Sequence, residues 1–138
     1  MAELVLTEVD IKLGGSGCKV AVVQLGETAT IGMPVRIDTS DNKYYLADNS
    51  TEEDAKASAI TLCRGLADDY VPVLIEGPLD IAASVNIEPG QSYAVAPTSG
   101  KIYLASELST SDWATHIGIG KDTNVIDIKF NATGVQAA

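Results

Sequence analysis

Lys43-Tyr44-Tyr45-Leu46-Ala47 and Lys101-Ile102-Tyr103-Leu104-Ala105 are one pattern written twice, 58 positions apart. At the same offset Gly32 meets Gly90 and Ile37 meets Val95. After a one-residue slip, Ala57-Ser58-Ala59-Ile60-Thr61-Leu62 falls on Ala114-Thr115-His116-Ile117-Gly118-Ile119. Each copy then closes on an apolar run, Val71-Pro72-Val73-Leu74-Ile75 or Val125-Ile126-Asp127-Ile128-Lys129-Phe130. Residues 29–77 and 85–131 are therefore two copies of one unit. Two units are too few for a solenoid, which needs several stacked repeats to bury its core. The duplication instead predicts one small β domain with approximate two-fold symmetry, a scaffold for shape more than for an asymmetric catalytic pocket.

Outside and between the copies the chain reads as short strands separated by Gly, Pro, Asp and Asn, the spacing of a sandwich or barrel. Lys19 to Leu25 is apolar nearly throughout and predicts a strand buried on both faces. Thr28 to Ile31 and Pro34 to Ile37 flank Gly32, Asp38 to Asn42 is a polar turn, and Tyr44 to Ala47 returns as a hairpin. Ile60 to Cys63, Val71 to Glu76, Asp80 to Ala83, Tyr93 to Ala96, Ile102 to Ala105, Ile117 to Ile119 and Val125 to Phe130 complete the strands. Glu88-Pro89-Gly90-Gln91 is a turn, because Pro presets φ and Gly accepts a positive one. Ser50 or Thr51 followed by acidic residues predicts a helix of about two turns, and Ser109 to Ala114 repeats the signal. The expected fold is mainly β, a small tulip-like barrel or sandwich with an internal pseudo-repeat and one or two short helices. Residues 1–17 read as an N-terminal arm ending in the hinge Gly14-Gly15-Ser16-Gly17, residues 18–131 as the body, and 132–138 as a flexible tail.

The 138 residues suit a single core. With 46% apolar and 20% charged residues the chain belongs among globular proteins. A formal charge of −10 repels phosphate backbones and anionic membranes alike, so neither nucleic acid nor membrane is an expected partner. No stretch approaches the roughly 18–20 apolar residues of a spanning helix. Met1-Ala2-Glu3-Leu4 is unlike a secretory signal, so synthesis and folding are expected in the cytoplasm. Cys18 and Cys63 accordingly read as reduced thiols, and no cofactor is expected.

Candidate chemistry is sparse. His116 is the single histidine and has no marked nucleophile beside it in sequence, so a satisfied strand-end residue is the simpler role. Gly118-Ile119-Gly120-Lys121 lacks the spacing and the following Ser or Thr of a phosphate loop. Asp38, Asp41, Asp48, Glu52, Glu53 and Asp54 crowd one region, but without calcium-loop spacing they read as a solvated surface. Tyr44, Tyr45, Tyr93 and Tyr103 recur in the copies as core or interface residues, with a carbohydrate platform as the sharper alternative. Trp113, Tyr44 and Tyr103 are the candidates for core or subunit contact. Leu4, Leu6, Val9, Ile11 and Leu13 alternate with polar residues, which lets the arm serve either as the protein's own first strand or as a strand added to another sheet.

At Gly32-Met33-Pro34-Val35, Ala59-Ile60-Thr61-Leu62, Gly90-Gln91-Ser92-Tyr93, His116-Ile117-Gly118-Ile119-Gly120 and Val125 to Phe130, the chain resembles tailed-phage head decoration proteins, also called capsid cement proteins, a group that includes the lambda type. The likeness covers roughly residues 18 to 131. It implies a non-enzymatic virion protein, a homotrimer that binds the major capsid protein on the outer surface of an icosahedral head and stabilises the expanded shell. It also implies that the N-terminal arm, with Leu4, Leu6, Val9, Ile11 and Leu13, contacts the capsid. The Pro- and Thr-rich arm of the best-known member is missing here. The alternatives are a phage tail or baseplate module or a host-surface adhesin that binds glycan through the tyrosines, and an enzyme that uses His116 with a loop carboxylate.

Overall fold

A computed structural model describes residues 12–13, 17–81 and 87–137. Strands take 53% of the described residues and helix 3%, so the protein is mainly β, built on a curled antiparallel sheet. The strands are β1 (Lys12–Leu13), β2 (Lys19–Gln24), β3 (Pro34–Asp38), β4 (Lys43–Leu46), β5 (Ala59–Thr61), β6 (Tyr70–Asp80), β7 (Ser92–Val95), β8 (Ile102–Leu104), β9 (Trp113–Asp122) and β10 (Val125–Gln136).

The repeat seen in the sequence is a repeat of topology. In the first copy the spatial order is β4-β3-β5-β6, and in the second it is β8-β7-β9-β10, so each copy is a hairpin followed by two further strands. The copies meet where Val125 to Lys129 of β10 pair antiparallel with Asp80 to Glu76 of β6. β6 serves both halves. Val73 and Leu74 are flanked by β2 and β5, whereas Leu79 and Asp80 are flanked by β1 and β10.

Because side chains alternate along a strand, β6 feeds two cores. Val71 and Val73 point into a cluster with Leu25, Val35 and Ala59. That cluster fills the first half, which curls round when Leu25 bridges in parallel to Tyr44 and the Gly26 N–H donates to the Tyr44 carbonyl at 2.7 Å. Leu74 and Leu79 point the other way, into a larger cluster with Ile60, Tyr93, Ile102, Ile117, Ile126 and Ile128. Each fully buried side chain of this size contributes about 1.5–3 kcal/mol. Asn49 bolts the halves together: its Nδ2 donates to the Val95 carbonyl at 3.0 Å, its N–H to Ala96, and its own carbonyl accepts from the Trp113 N–H.

Several expectations need correction. The helix expected near residues 50–59 is only a sequence of turns, in which the Thr51 hydroxyl accepts from the Asp54 N–H and the Thr51 carbonyl from the Ala55 N–H. Among the described residues the helical segment is a 3-10 turn at Ala105–Glu107. Thr28 to Ile31 form no strand but a single bridge between Ala29 and Gly65. Gly77-Pro78 does not end a strand; β6 runs through it, with Gly77 at φ +124° and the register to β2 shifting alongside. β2 is buried on one face only, since Ala21 and Val23 pack inward while Val20 and Val22 stay exposed. The segment set off as a tail continues β10 as far as Gln136, which pairs with Trp113.

Candidate functional site

A groove of about 530 Å³ lies on the outer face of β7, β9 and β10, and it brings together residues distant in sequence. Cross-strand pairing sets Ser92 opposite Ile119 and Ile119 opposite Asp127, so these three form a row on one face. His116, Lys129, Phe130 and Asn131 complete the walls. Gly118 sits between them because its neighbours leave no room for a side chain: a Cβ there would lie 2.2 Å from the Asp127 carbonyl oxygen.

Ser92 Oγ lies 2.7 Å from His116 Nδ1, a hydrogen bond between a hydroxyl and an imidazole. A serine and a base in contact are the first two parts of a nucleophilic site, and the third part is a group that fixes the imidazole from its other nitrogen. Among the described residues no carboxylate hydrogen-bonds that nitrogen. The geometry therefore offers a polar, partly apolar-walled recess suited to holding a ligand, with Ser92 and His116 tied to one another. Ser92 escaped the reading of the sequence because it is 24 positions from its partner and only strand pairing joins them.

Five of the six acidic candidates, all but the exposed Glu52, are engaged by neighbouring groups. Asp38 accepts from the Ser40 N–H and hydroxyl, Asp41 from the Lys43 N–H and the Tyr45 hydroxyl, and Asp48 from the Ser50 N–H. Asp54 pairs with Arg36 at 2.9 Å and Glu53 with Lys56 at 3.2 Å. Among the described residues no group of three His, Cys, Asp or Glu side chains converges to hold a metal ion. Cys18 and Cys63 are not joined in a disulfide.

The tyrosines do not form a common platform. Tyr93 is fully buried, with its hydroxyl accepting from the Glu88 N–H at 2.9 Å. Tyr44 packs against the first-half core, Tyr45 binds Asp41, and Tyr103 is half-buried on β8. Trp113 is half-buried at the start of β9. Of the arm residues, Leu13 lies in β1 opposite Leu79 and is 42% exposed, whereas Leu4, Leu6, Val9 and Ile11 lie outside the described residues. Among the described residues no helix is long and apolar enough to cross a membrane. No family model, curated protein or solved structure matches the chain.

Proposed function

We propose that the protein is a non-enzymatic structural protein of a phage virion that binds the major capsid protein on the outer surface of the head as a homotrimer and stabilises the expanded shell. The observation that carries this reading is the position of β1. Lys12 and Leu13 pair antiparallel with Asp80 and Leu79, and among the described residues β1 pairs with no other strand. The segment leading out of the arm thus has strand geometry at a sheet edge, where main-chain groups are available for a strand of another protein. A pseudo-symmetric body with an acidic surface suits repeated docking on a particle, since three linked weak contacts reinforce one another once the first has formed. Binding free energy available only on the expanded shell stabilises that shell by linkage.

The test is to add the purified protein to expanded heads that lack it. The full chain is expected to sediment with the heads at a saturating ratio of three copies per site, and a chain lacking residues 1–13 is expected to stay in the supernatant while remaining folded. Equal binding by the shortened chain would remove the arm from the mechanism, and no binding by either would remove the capsid. The groove beside Phe130, lined by Ser92, His116, Asp127 and Asn131, favours the adhesin as the second reading, because polar groups next to an apolar wall suit a sugar ring. Retention of the protein on immobilised host-surface glycan, abolished by Asp127→Ala, would select it.

A further inference from the structure

We infer that the outer face of β7, β9, β10 and β6 is a trough for an extended acidic saccharide. The inference deepens the glycan reading above and rests on it, adding the length of the ligand and the sign of its charge. Two recesses meet on this face. The groove of about 530 Å³ beside Phe130 and a second of about 410 Å³ beside Gly77 and Pro78 share Asp127 and Lys129 as walls. A row of paired residues, Ser92, Ile119, Asp127 and Pro78, runs from one recess into the other. The row crosses four strands, so the trough is about 14 Å long, more than a single sugar ring fills.

Charged side chains without partners gather here. Lys19, Lys43 and Lys56 are held by Glu76, Asp68 and Glu53, and Arg36 by Asp54. Among the described residues no carboxylate pairs with Lys121 or Lys129, and no side chain donates to the Asp127 carboxylate. Lys129 stands two residues beyond Asp127 on β10, and Lys121 two residues beyond its partner Ile119 on β9. The antiparallel pairing therefore sets the two lysines on opposite sides of one carboxylate. The other charge in the walls, Glu76, is paired with Lys19, so the trough carries an excess of one positive charge on a chain of net −10. Acidic groups more than about 8 Å away are largely screened at physiological ionic strength and do not cancel it.

Those groups select the ligand. A sugar carboxylate accepts from Lys121 or Lys129, while sugar hydroxyls donate to Asp127 and bind Asn131 and the Ser92–His116 pair. Ile119, 55% exposed, and the half-buried Phe130 offer apolar surface to the faces of the rings. An acidic peptide gains less. β7 lies between β8 and β9, β9 between β7 and β10, and β10 from Val125 to Lys129 between β9 and β6. The floor thus has no open edge to which an extended peptide adds as a strand. A nucleic acid gains less still, since two lysines release few counterions and Phe130 is the one aromatic ring among the described residues that line the trough.

The experiment follows amide shifts of the isotope-labelled full chain during titration with oligouronates of galacto, manno and gluco configuration, each four residues long. Their neutral methyl esters and tetraglutamate are the comparison ligands. At least one oligouronate is expected to move the amides of Ile119, Asp127 and Lys129 and to bind at least about tenfold more tightly than its ester. That advantage is expected to shrink as salt is raised. Lys129→Gln and Lys121→Gln are expected to remove most of it without weakening the ester, and the control Lys56→Gln, in the first half of the molecule, to change nothing. All three lysines are exposed, so the variants are expected to fold as wild type does. Acid and ester that bind alike at these amides uphold the glycan reading and overturn the acidic class. Tetraglutamate that binds as tightly as the oligouronates overturns the saccharide and assigns the trough to an acidic peptide. An oligouronate indifferent to K129Q and K121Q, or one that moves amides elsewhere, overturns the trough as its site. No shift with any saccharide overturns this inference and the glycan reading together.

Discussion

The two hairpins that carry the repeated pentapeptide have the same strand order and opposite surroundings. In β7–β8, Val95, Ile102 and Leu104 belong to the larger core. In β3–β4, the counterpart Ile37 is 42% exposed and Tyr44 only partly buried. The cause lies in what covers each hairpin. The segment after β4 crosses to the second half, where Asn49 binds Val95 and Ala96 and the Ala47 carbonyl accepts from the Gly100 N–H. The first hairpin receives β2 and the turn that follows it instead, through the Gly26 N–H, which donates to the Tyr44 carbonyl, and through the Glu27 carboxylate, which accepts from the Leu46 N–H at 3.0 Å. β2 precedes both copies of the repeat. A duplicated sequence therefore specifies strand pairing in both halves, while burial depends on segments that were not duplicated.

The sharpest way to break the comparison is at a pair of matched positions, Thr61 and Gly118. Thr61 is fully buried, and its hydroxyl donates to the Thr30 carbonyl at 2.6 Å while accepting from the Met33 N–H at 3.0 Å. Gly118→Ala would drive a methyl group into the Asp127 backbone, which no side-chain rotation relieves. We expect about 3 kcal/mol or more of destabilisation, at the upper end of overpacking, read as a lowered midpoint in urea. A variant with an unchanged midpoint would show that β9 and β10 separate freely there. Next in size is the matched contrast between Ile102→Ala and Ile37→Ala. Ile102 is buried and should cost about 2–5 kcal/mol, whereas Ile37 should cost less than about 1 kcal/mol because half its surface is already hydrated. Equal losses would mean that the first hairpin is covered in solution, as by a second copy.

Strand pairing was legible in the sequence because hairpins and period-two alternation are local signals, and the repeat doubled each of them. What failed depended on distant partners. Lys19 to Leu25 looks buried on both faces because apolar composition alone does not reveal that the second half covers Leu74 and leaves Val22 open. Gly77-Pro78 looks like a break, yet β6 bends through it, since its flanking strands change at that point from β2 and β5 to β1 and β10. Capping residues near Ser50 and Thr51 were real, but Asp48 and Thr51 tie off isolated turns with no apolar stripe to extend a helix. The contact between Ser92 and His116 had no sequence signal beyond the two residue types, because it exists only across β7 and β9.

The smallest expected effect separates the hairpins by pH. At the first hairpin, hydrogen bonds from the Ser40 hydroxyl and N–H hold the Asp38 carboxyl below its ordinary value near 3.8. The Tyr45 hydroxyl, followed by the Lys43 N–H, does the same for Asp41. Groups with depressed folded values stabilise the fold fully above about pH 4, and that contribution is lost as pH falls through the folded values. At the alkaline end the signs reverse. The Asp68 carboxylate raises the Lys43 ammonium, and Asp41 raises the Tyr45 hydroxyl. Their contributions are complete below their unfolded values, near 10, and are lost as pH rises through the folded ones. Asp41 is exposed and Asp38, Lys43 and Tyr45 are partly exposed, so the effect is local loosening of the turn between β3 and β4, and salt should screen the part carried by Lys43 and Asp68. The second hairpin is held by Val95, Ile102 and Leu104, which do not titrate. Amide exchange measured between pH 5 and pH 2.5, corrected for intrinsic rates, should show protection falling first at Ser40 and Lys43 while Ala94 and Ile102 hold. Simultaneous loss at both hairpins would mean that acid acts on the whole fold, and the division between a polar hairpin and an apolar one would then have no energetic meaning.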